Sequence, residues 1–321
     1  MPIQHATYAV PRMDLGLAFH EYDPSVDGFV ATRVLPTMPV AKEAATMAVI
    51  TRENLKRADA KHANGAAFNR VNLITEDKEY ACEDYGLEIQ LTDKDREKYR
   101  DDYDAELESA QALAKKIYNE LEIRTATAVF NTTTWPSGTA ALFTDNKATP
   151  WSTVTTDIIK QVTAAKEYVR ANTGVRADAL IIGEPALNNL LINDVVRARF
   201  PGALVISEAM LRANLAAIFG LSELIVGGAA YDSAKEGQVF TSADIWGYQY
   251  AMVAKIQRGP TRVNPGIGRA IIWENLTDAA DIAAVMEYRE EQTASDIYRI
   301  QQYIDELIFD AYFGHLMQIE V

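Results

Sequence analysis

The stretch VLPTMPVAKEAATMAVITR, Val34 to Arg52, decides the fold. Its two prolines, Pro36 and Pro39, restrict it to sheet-edge positions or an extended connection. Its second half alternates weakly between apolar and polar residues. No hydrophobic helix or strand flanks it closely, so an extended segment of this kind needs cover from elsewhere. The residues that follow, ENLKRADAKHANGAAFNR (53–70), are polar and turn at Asn64-Gly65. VNLI (71–74) and YACEDYGLEIQL (80–91) then read as strands. Tyr80, Cys82, Leu87, Ile89 and Leu91 mark the alternating positions around a break at Gly86. Together these segments make a long two-stranded excursion with a charged tip.

A helix comes next. Tyr99, Tyr103, Leu107, Ala110, Ala114, Ile117 and Leu121 fall three or four residues apart, one apolar stripe of a single helix over 95–130. At 1.5 Å per residue it would run about 50 Å. Asp93 and Asp95 stand near its start, where negative charge suits the helix dipole. Residues 1–30 carry breaks at Pro2, Pro11, Gly16, Pro24 and Gly28 and show no sustained period, which predicts an extended arm.

Beyond a Pro/Gly loop at 132–151 the texture becomes α/β. A helix capped by Ser152 and stopped at Gly174 precedes a buried strand, ADALIIG. Pro185 opens a second helix over 184–200, and Gly220 ends a third. SELIVGG, then one or two strands around Gly247, then RAIIWE after Pro265-Gly266 supply further strands, and the chain closes in strand-rich sequence.

Composition narrows the function. The chain has 321 residues, 48% of them hydrophobic, enough for a large core. It holds no apolar run of about 18 residues and no secretion-signal pattern. Its single cysteine, Cys82, excludes an internal disulfide and a cysteine-based zinc cluster, and fits a reducing cytoplasm. The net charge of −14 makes it a poor binder of polyanions. The acids concentrate at 76–131 (16 acidic, 8 basic) and 274–321 (11 acidic, 2 basic). They read as solvated faces, or as surfaces that repel nearby nucleic acid.

A catalytic site does not emerge. His5, His20, His62 and His315 lack metal-ligand spacing, and neither a G-x-S-x-G nor a phosphate-binding glycine loop occurs. Gly266-Ile267-Gly268 leads into a strand, whereas a dinucleotide turn leads into a helix. Asp101, Asp102 and Asp104 read as a helix face, and Arg197 and Arg199 as cations at a helix end. No cofactor or metal is expected.

Taken in order, these segments resemble the major capsid proteins of tailed bacteriophages, the Hong Kong 97-type fold shared with encapsulins. FVATRVLPTMPVAKEAATMAVITR (29–52) is similar to the strand that leads into that family's extended loop. YACEDYGLEIQLTDKDRE (80–97) resembles the return strand, and DYDAELESAQALAKKIYNELEIRTATAVFN (102–131) the spine helix. ADALIIGEPALNNLL, LAAIFGLSELIVGGAAYD and IWGYQYAMVAKI resemble the axial domain, and SDIYRIQQYIDELIFDAYFGHLMQIEV (295–321) the closing peripheral strands.

The resemblance implies an α+β chain with an N-terminal arm (1–30), an extended β-loop with its flanking strands (31–92), and a long spine helix with peripheral domain (93–150). An α/β axial domain (151–273) and the C-terminal strands of the peripheral sheet (274–321) complete it. It also implies that arm and loop meet neighbouring subunits rather than their own. The residues so implicated are Val34, Pro36, Pro39, Val40, Lys42, Glu43, Lys56, Arg57, Lys61, Phe68 and Arg70. The implied protein is a structural, non-enzymatic subunit of an icosahedral head, built of hexamers and pentamers. Such a head encloses DNA without sequence-specific binding, has no membrane, and is assembled in the host bacterial cytoplasm before serving in the virion. No helical, charged segment precedes the arm, which points to a separate scaffolding protein or none; portal and decoration proteins are further expected partners. An encapsulin-type compartment shell, an α/β enzyme built on 152–273, and a tail or decoration protein remain open as alternatives.

Overall fold

The computed structural model describes residues 10–11, 28–50, 52–55, 57–61, 68–99, 104–136, 142–199, 208–235, 237–259, 266–275 and 282–320. The N-terminal half contains β1 (Val10–Pro11), α1 (Ala31–Val34), β2 (Thr37–Val40), β3 (Ala44–Ile50), β4 (Thr75–Ala81), β5 (Glu83–Thr92), α2 (Asp93–Tyr99), α3 (Ala105–Val129) and β6 (Phe143–Asp145). Then come α4 (Ile158–Thr173), β7 (Ala179–Gly183), α5 (Glu184–Ile192), α6 (Asp194–Arg197), α7 (Glu208–Phe219), β8 (Glu223–Gly227), β9 (Ala230–Asp232) and β10 (Ser242–Asp244). The chain ends with β11 (Tyr250–Ala254), β12 (Gly268–Trp273), β13 (Ala284–Glu290), β14 (Ser295–Ile308) and β15 (Gly314–Gln318).

Two sheets organise the molecule. The first runs β1-β13-β14-β12-β2, with β5 also paired to β14. The 14-residue β14 is its axis: one edge pairs with β13 and then β12, the other with β5 from Ser295 to Ile304. The second sheet runs β6-β15-β11-β7-β8. Its strand β7, ALIIG, is buried at every position, as expected of a strand covered on both faces. Helices α4 and α5 contribute Ile158, Val162, Val169, Leu187 and Leu190 to the apolar cluster around Leu180 and Ile182.

Helix α3 joins the two sheets. Its Leu113, Ile117 and Leu121 share one buried cluster with Tyr298 and Ile300 of the first sheet and with Ile181, Met252 and Leu316 of the second. The expected stripe is present at Ala110, Ala114, Ile117 and Leu121 and widens to Leu113, Tyr118 and Val129. The helix is not the single 95–130 rod. Thr92 accepts the Asp95 amide hydrogen bond at 3.1 Å and opens α2; Asp104 then accepts from the Glu106 and Leu107 amides and opens α3 separately. Apolar periodicity runs through a helix break unmarked, whereas an aspartate with free backbone donors after it starts a new helix. Asp104 is therefore a cap rather than part of a helix face, and Asp101, Asp102 and Tyr103 lie outside the described residues.

Other boundaries shift for similar reasons. Asp157 caps α4, while the Ser152 hydroxyl bonds Glu320 at 2.7 Å. Gly174 ends α4 as expected, at φ 69°. The 184–200 helix is two helices, because the Asn193 side chain accepts from the Val195 and Val196 amides. The strand break falls at Cys82 rather than Gly86, which pairs inside β5 with Gln301. VNLI is not a strand. Sheet membership crosses the expected ranges too: β6 lies in the second sheet, β12 in the first, and β15 in the second beside β11.

Candidate assembly surface

The excursion starts from a buried anchor. Glu122 of α3 has no exposed surface, and its carboxylate accepts hydrogen bonds from the Val30 amide at 2.9 Å, the Ala31 amide at 2.7 Å and the Trp246 indole. The first two are orphan donors at the start of α1, which has no side-chain cap of its own. Burial outweighs these bonds and holds the Glu122 carboxyl above the usual carboxylate range. Trp246 sits in a notch that side chains would fill: a β-carbon added to Gly227 would stand 2.0 Å from its ring, and one on Gly183 would stand 1.9 Å from its carbonyl oxygen.

From there the chain first covers itself. Val34 and Leu35 are fully buried in the subunit core. Val34 is thus an internal residue, correcting its assignment to an intersubunit contact. Strand β2 pairs in parallel with β12 at the end of the first sheet, so this part of the segment has its partner in its own subunit. Pro36 and Val40 are half-buried and their carbonyls accept from Ala270 and Glu274. Pro39 is exposed, as edge placement allows. Lys42 and Glu43 are exposed at the turn into β3.

The hairpin of β3 and β4 is clamped along one face. Met47, Tyr80 and Cys82 form a buried cluster with Ile271 and Phe309. Burial pushes the Cys82 thiol up to about 11, so it is not a nucleophile at neutral pH. Past β3, Arg52 lies 3.2 Å over the Tyr312 ring. Asn54 closes the neck of the tip by bonding the Ile74 amide at 2.8 Å and its carbonyl at 2.5 Å. Asn69 crosses to the Asp59 carbonyl at 2.7 Å.

The tip itself faces water. Arg57, Lys61 and Arg70 are exposed; Phe68 is 78% exposed, Val71 71% and Leu73 68%. Sequence reading named Phe68 but passed over Val71 and Leu73, which it assigned to a strand. Lys56 lies outside the described residues. A second apolar knob, Val239 and Phe240, stands on the β9–β10 hairpin at 87% and 70% exposure. Its sequence signal was an apolar pair beside Gly237.

The return path is held by charge. Arg289 of β13 grips Asp93 through two 2.6 Å contacts and reaches Asp296 of β14 at 3.2 Å. Arg96 of α2 bonds Asp296 at 2.6 Å and Glu106 of α3 at 3.0 Å. Arg124 pairs with Glu306 at 3.0 Å and covers the Tyr85 ring.

Catalytic geometry is not assembled around the one described histidine. His315 borders a cleft of about 770 Å³ with Thr144, Lys160 and Tyr168. Its Nε2 lies 2.8 Å from the Thr144 hydroxyl, and burial lowers its pKa to about 4, so the ring is neutral at physiological pH. His5, His20 and His62 lie outside the described residues. Among the described residues no three His, Cys, Asp or Glu side chains cluster to hold a metal, and no helix is long and apolar enough to cross a membrane.

No protein-family profile and no curated protein matches the sequence. Solved structures match the fold. A phage-related protein from Bordetella bronchiseptica RB50 is 18% identical, covers 97% of this chain and 97% of its own, and superposes with a TM-score of 0.71. The SrpI encapsulin complex from Synechococcus elongatus PCC 7942 gives 9% identity, 93% and 90% coverage and a TM-score of 0.56. The capsid of an empty GTA particle gives 11% identity, 92% and 90% coverage and a TM-score of 0.54. The chain has the α+β Hong Kong 97-type fold found in capsids and encapsulins.

Proposed function

We propose that the chain is a major capsid protein, the structural subunit of an icosahedral tailed-phage head enclosing DNA. The observation that carries this is the union of a shell fold over nearly the whole chain with an excursion that leaves Phe68, Val71 and Leu73 in water. Fully burying one Val, Leu or Phe side chain stabilises by about 1.5–3 kcal/mol, so neighbouring copies gain by covering this tip. In this reading the tip clasps neighbours, α3 stiffens the subunit, and the second sheet forms the axial domain of hexamers and pentamers, while β1 of the N-terminal arm pairs with β13 of its own subunit. The surface contacts are Pro39, Lys42, Glu43, Arg57, Lys61, Phe68 and Arg70, with Pro36 and Val40 at the base; Lys56 belongs with them by sequence. The charge of −14 suits a container wall that does not hold DNA fast. Assembly in a host cytoplasm, separate scaffolding, portal and decoration proteins, and a non-enzymatic role belong to the same proposal.

The encapsulin fold match favours a second reading, the shell of a cellular compartment. Expression of the chain alone and with its neighbouring genes, followed by size-exclusion chromatography and negative-stain microscopy, tests both. Closed shells or rings are expected, and DNA-filled rather than enzyme-filled particles select the phage head. A chain that stays monomeric in both settings overturns the shell function.

A further inference from the structure

The excursion changes sign along its length. Residues 52–74 carry five basic and two acidic side chains; residues 75–88 carry six acidic and one basic. Arg57, Lys61 and Arg70 are exposed and enter no ion pair with described residues. On the stem, the pairings Thr46↔Glu79 and Ala48↔Asp77 define the outward face of the hairpin, opposite buried Met47 and Tyr80. That face is flat: small exposed Ala44, Thr46 and Ala48 lie beside exposed Asp77 and Glu79. Exposed Glu83 continues the acidic row into β5, which pairs on one side only.

Within one chain these opposite charges are held apart. Asp77 and Glu79 lie two and four residue pairs in from the tip end of the stem, about 7 and 13 Å at 3.3 Å per residue, and the tip bases stand beyond that end; the Debye length at physiological salt is about 8 Å. Met47, Tyr80 and the Arg52–Tyr312 stack fix the stem to its own subunit, so the tip does not fold back along it. A second copy supplies the missing acids. We infer that the basic tip around Arg57, Lys61 and Arg70 docks on the acidic outward face of the β3–β4 stem, at Asp77 and Glu79, of a second copy of this chain. The inference rests on the shell reading and specifies its acceptor surface. Two different patches meet in this contact, so it is heterologous: each copy gives a tip and receives one, which propagates around a ring rather than ending at a dimer. Flanking Val71 and Leu73 add apolar area, while the charges set register and steer encounter.

The test uses three full-length variants and sedimentation at low and high salt, with microscopy read separately. The tip reversal R57E/K61E/R70E and the stem reversal D77K/E79K each weaken self-association at least about tenfold, and wild-type association weakens as salt rises. The chain carrying both reversals recovers association, because the complementarity is restored with the signs exchanged. All five side chains are exposed, and unchanged melting temperatures check that each variant is folded. Association that ignores the reversals, or a wild-type chain monomeric at low salt, overturns the docking. Charge-dependent association that yields no closed particles leaves the docking standing and removes the shell function; closed particles indifferent to charge do the reverse.

Discussion

Glu122 shows how one side chain ties three parts of this molecule together. Placed on α3, it satisfies the first amides of α1 and the indole of Trp246 beside the second sheet. Glu122→Ala strands three buried donors, each at a cost of about 1–3 kcal/mol, read as a lower urea midpoint. His315 makes a pH prediction. Its folded pKa, about 4, lies below the unfolded value of about 6.5, so its contribution is present above pH ~6.5 and is lost as pH falls through ~4. The shift corresponds to roughly 3 kcal/mol at most. Urea titrations between pH 7 and 4 will show a loss of stability that shrinks in His315→Gln; an identical slope in both proteins rejects the assignment.

At the scale of elements, the decisive joint is where β5 hands over to α2 and α3. Asp296, almost fully buried on β14, receives Arg96 and Arg289 and so binds α2 and β13 to the middle of the first sheet. Removing this buried carboxylate takes one partner from each guanidinium, although Arg96 keeps Glu106 and Arg289 keeps Asp93. Asp296→Ala is expected to destabilise by about 1–3 kcal/mol, measured by calorimetry. Asp104→Ala, by contrast, removes only a cap, and about 1 kcal/mol is expected from its urea midpoint. The helix would then fray from its first turn while the buried stripe from Ala110 to Val129 holds the rest.

For the whole molecule, stability and the proposed assembly rest on different residues. Val71 and Leu73 contribute little to the isolated subunit because they lie in water. Val71→Ser with Leu73→Ser is therefore expected to leave the melting temperature within about a degree or two while reducing particle yield on gel filtration. A large fall in melting temperature would mean that the tip packs on its own subunit, and would count against its role between copies.

The sequence by itself determined the excursion, the helical stripe at Ala110, Ala114, Ile117 and Leu121, the buried ALIIG strand, and the order of parts that resembles a shell protein. Each rests on local chemistry: periodicity, proline, glycine and caps act within a few residues. Tertiary structure alone decided that Val34 is core, that β2 finds β12, that β15 joins the second sheet, and that Glu122 is buried among backbone donors. Val34 and Val71 look alike in sequence, and only the surface brought against each of them makes one a core residue and leaves the other in solvent. A carboxylate in a helical stripe likewise reads as surface until distant amides, here 91 and 92 residues away, arrive to satisfy it. A local pattern marks which face of an element can be buried; what the whole chain brings against it decides whether a lone valine or a carboxylate is.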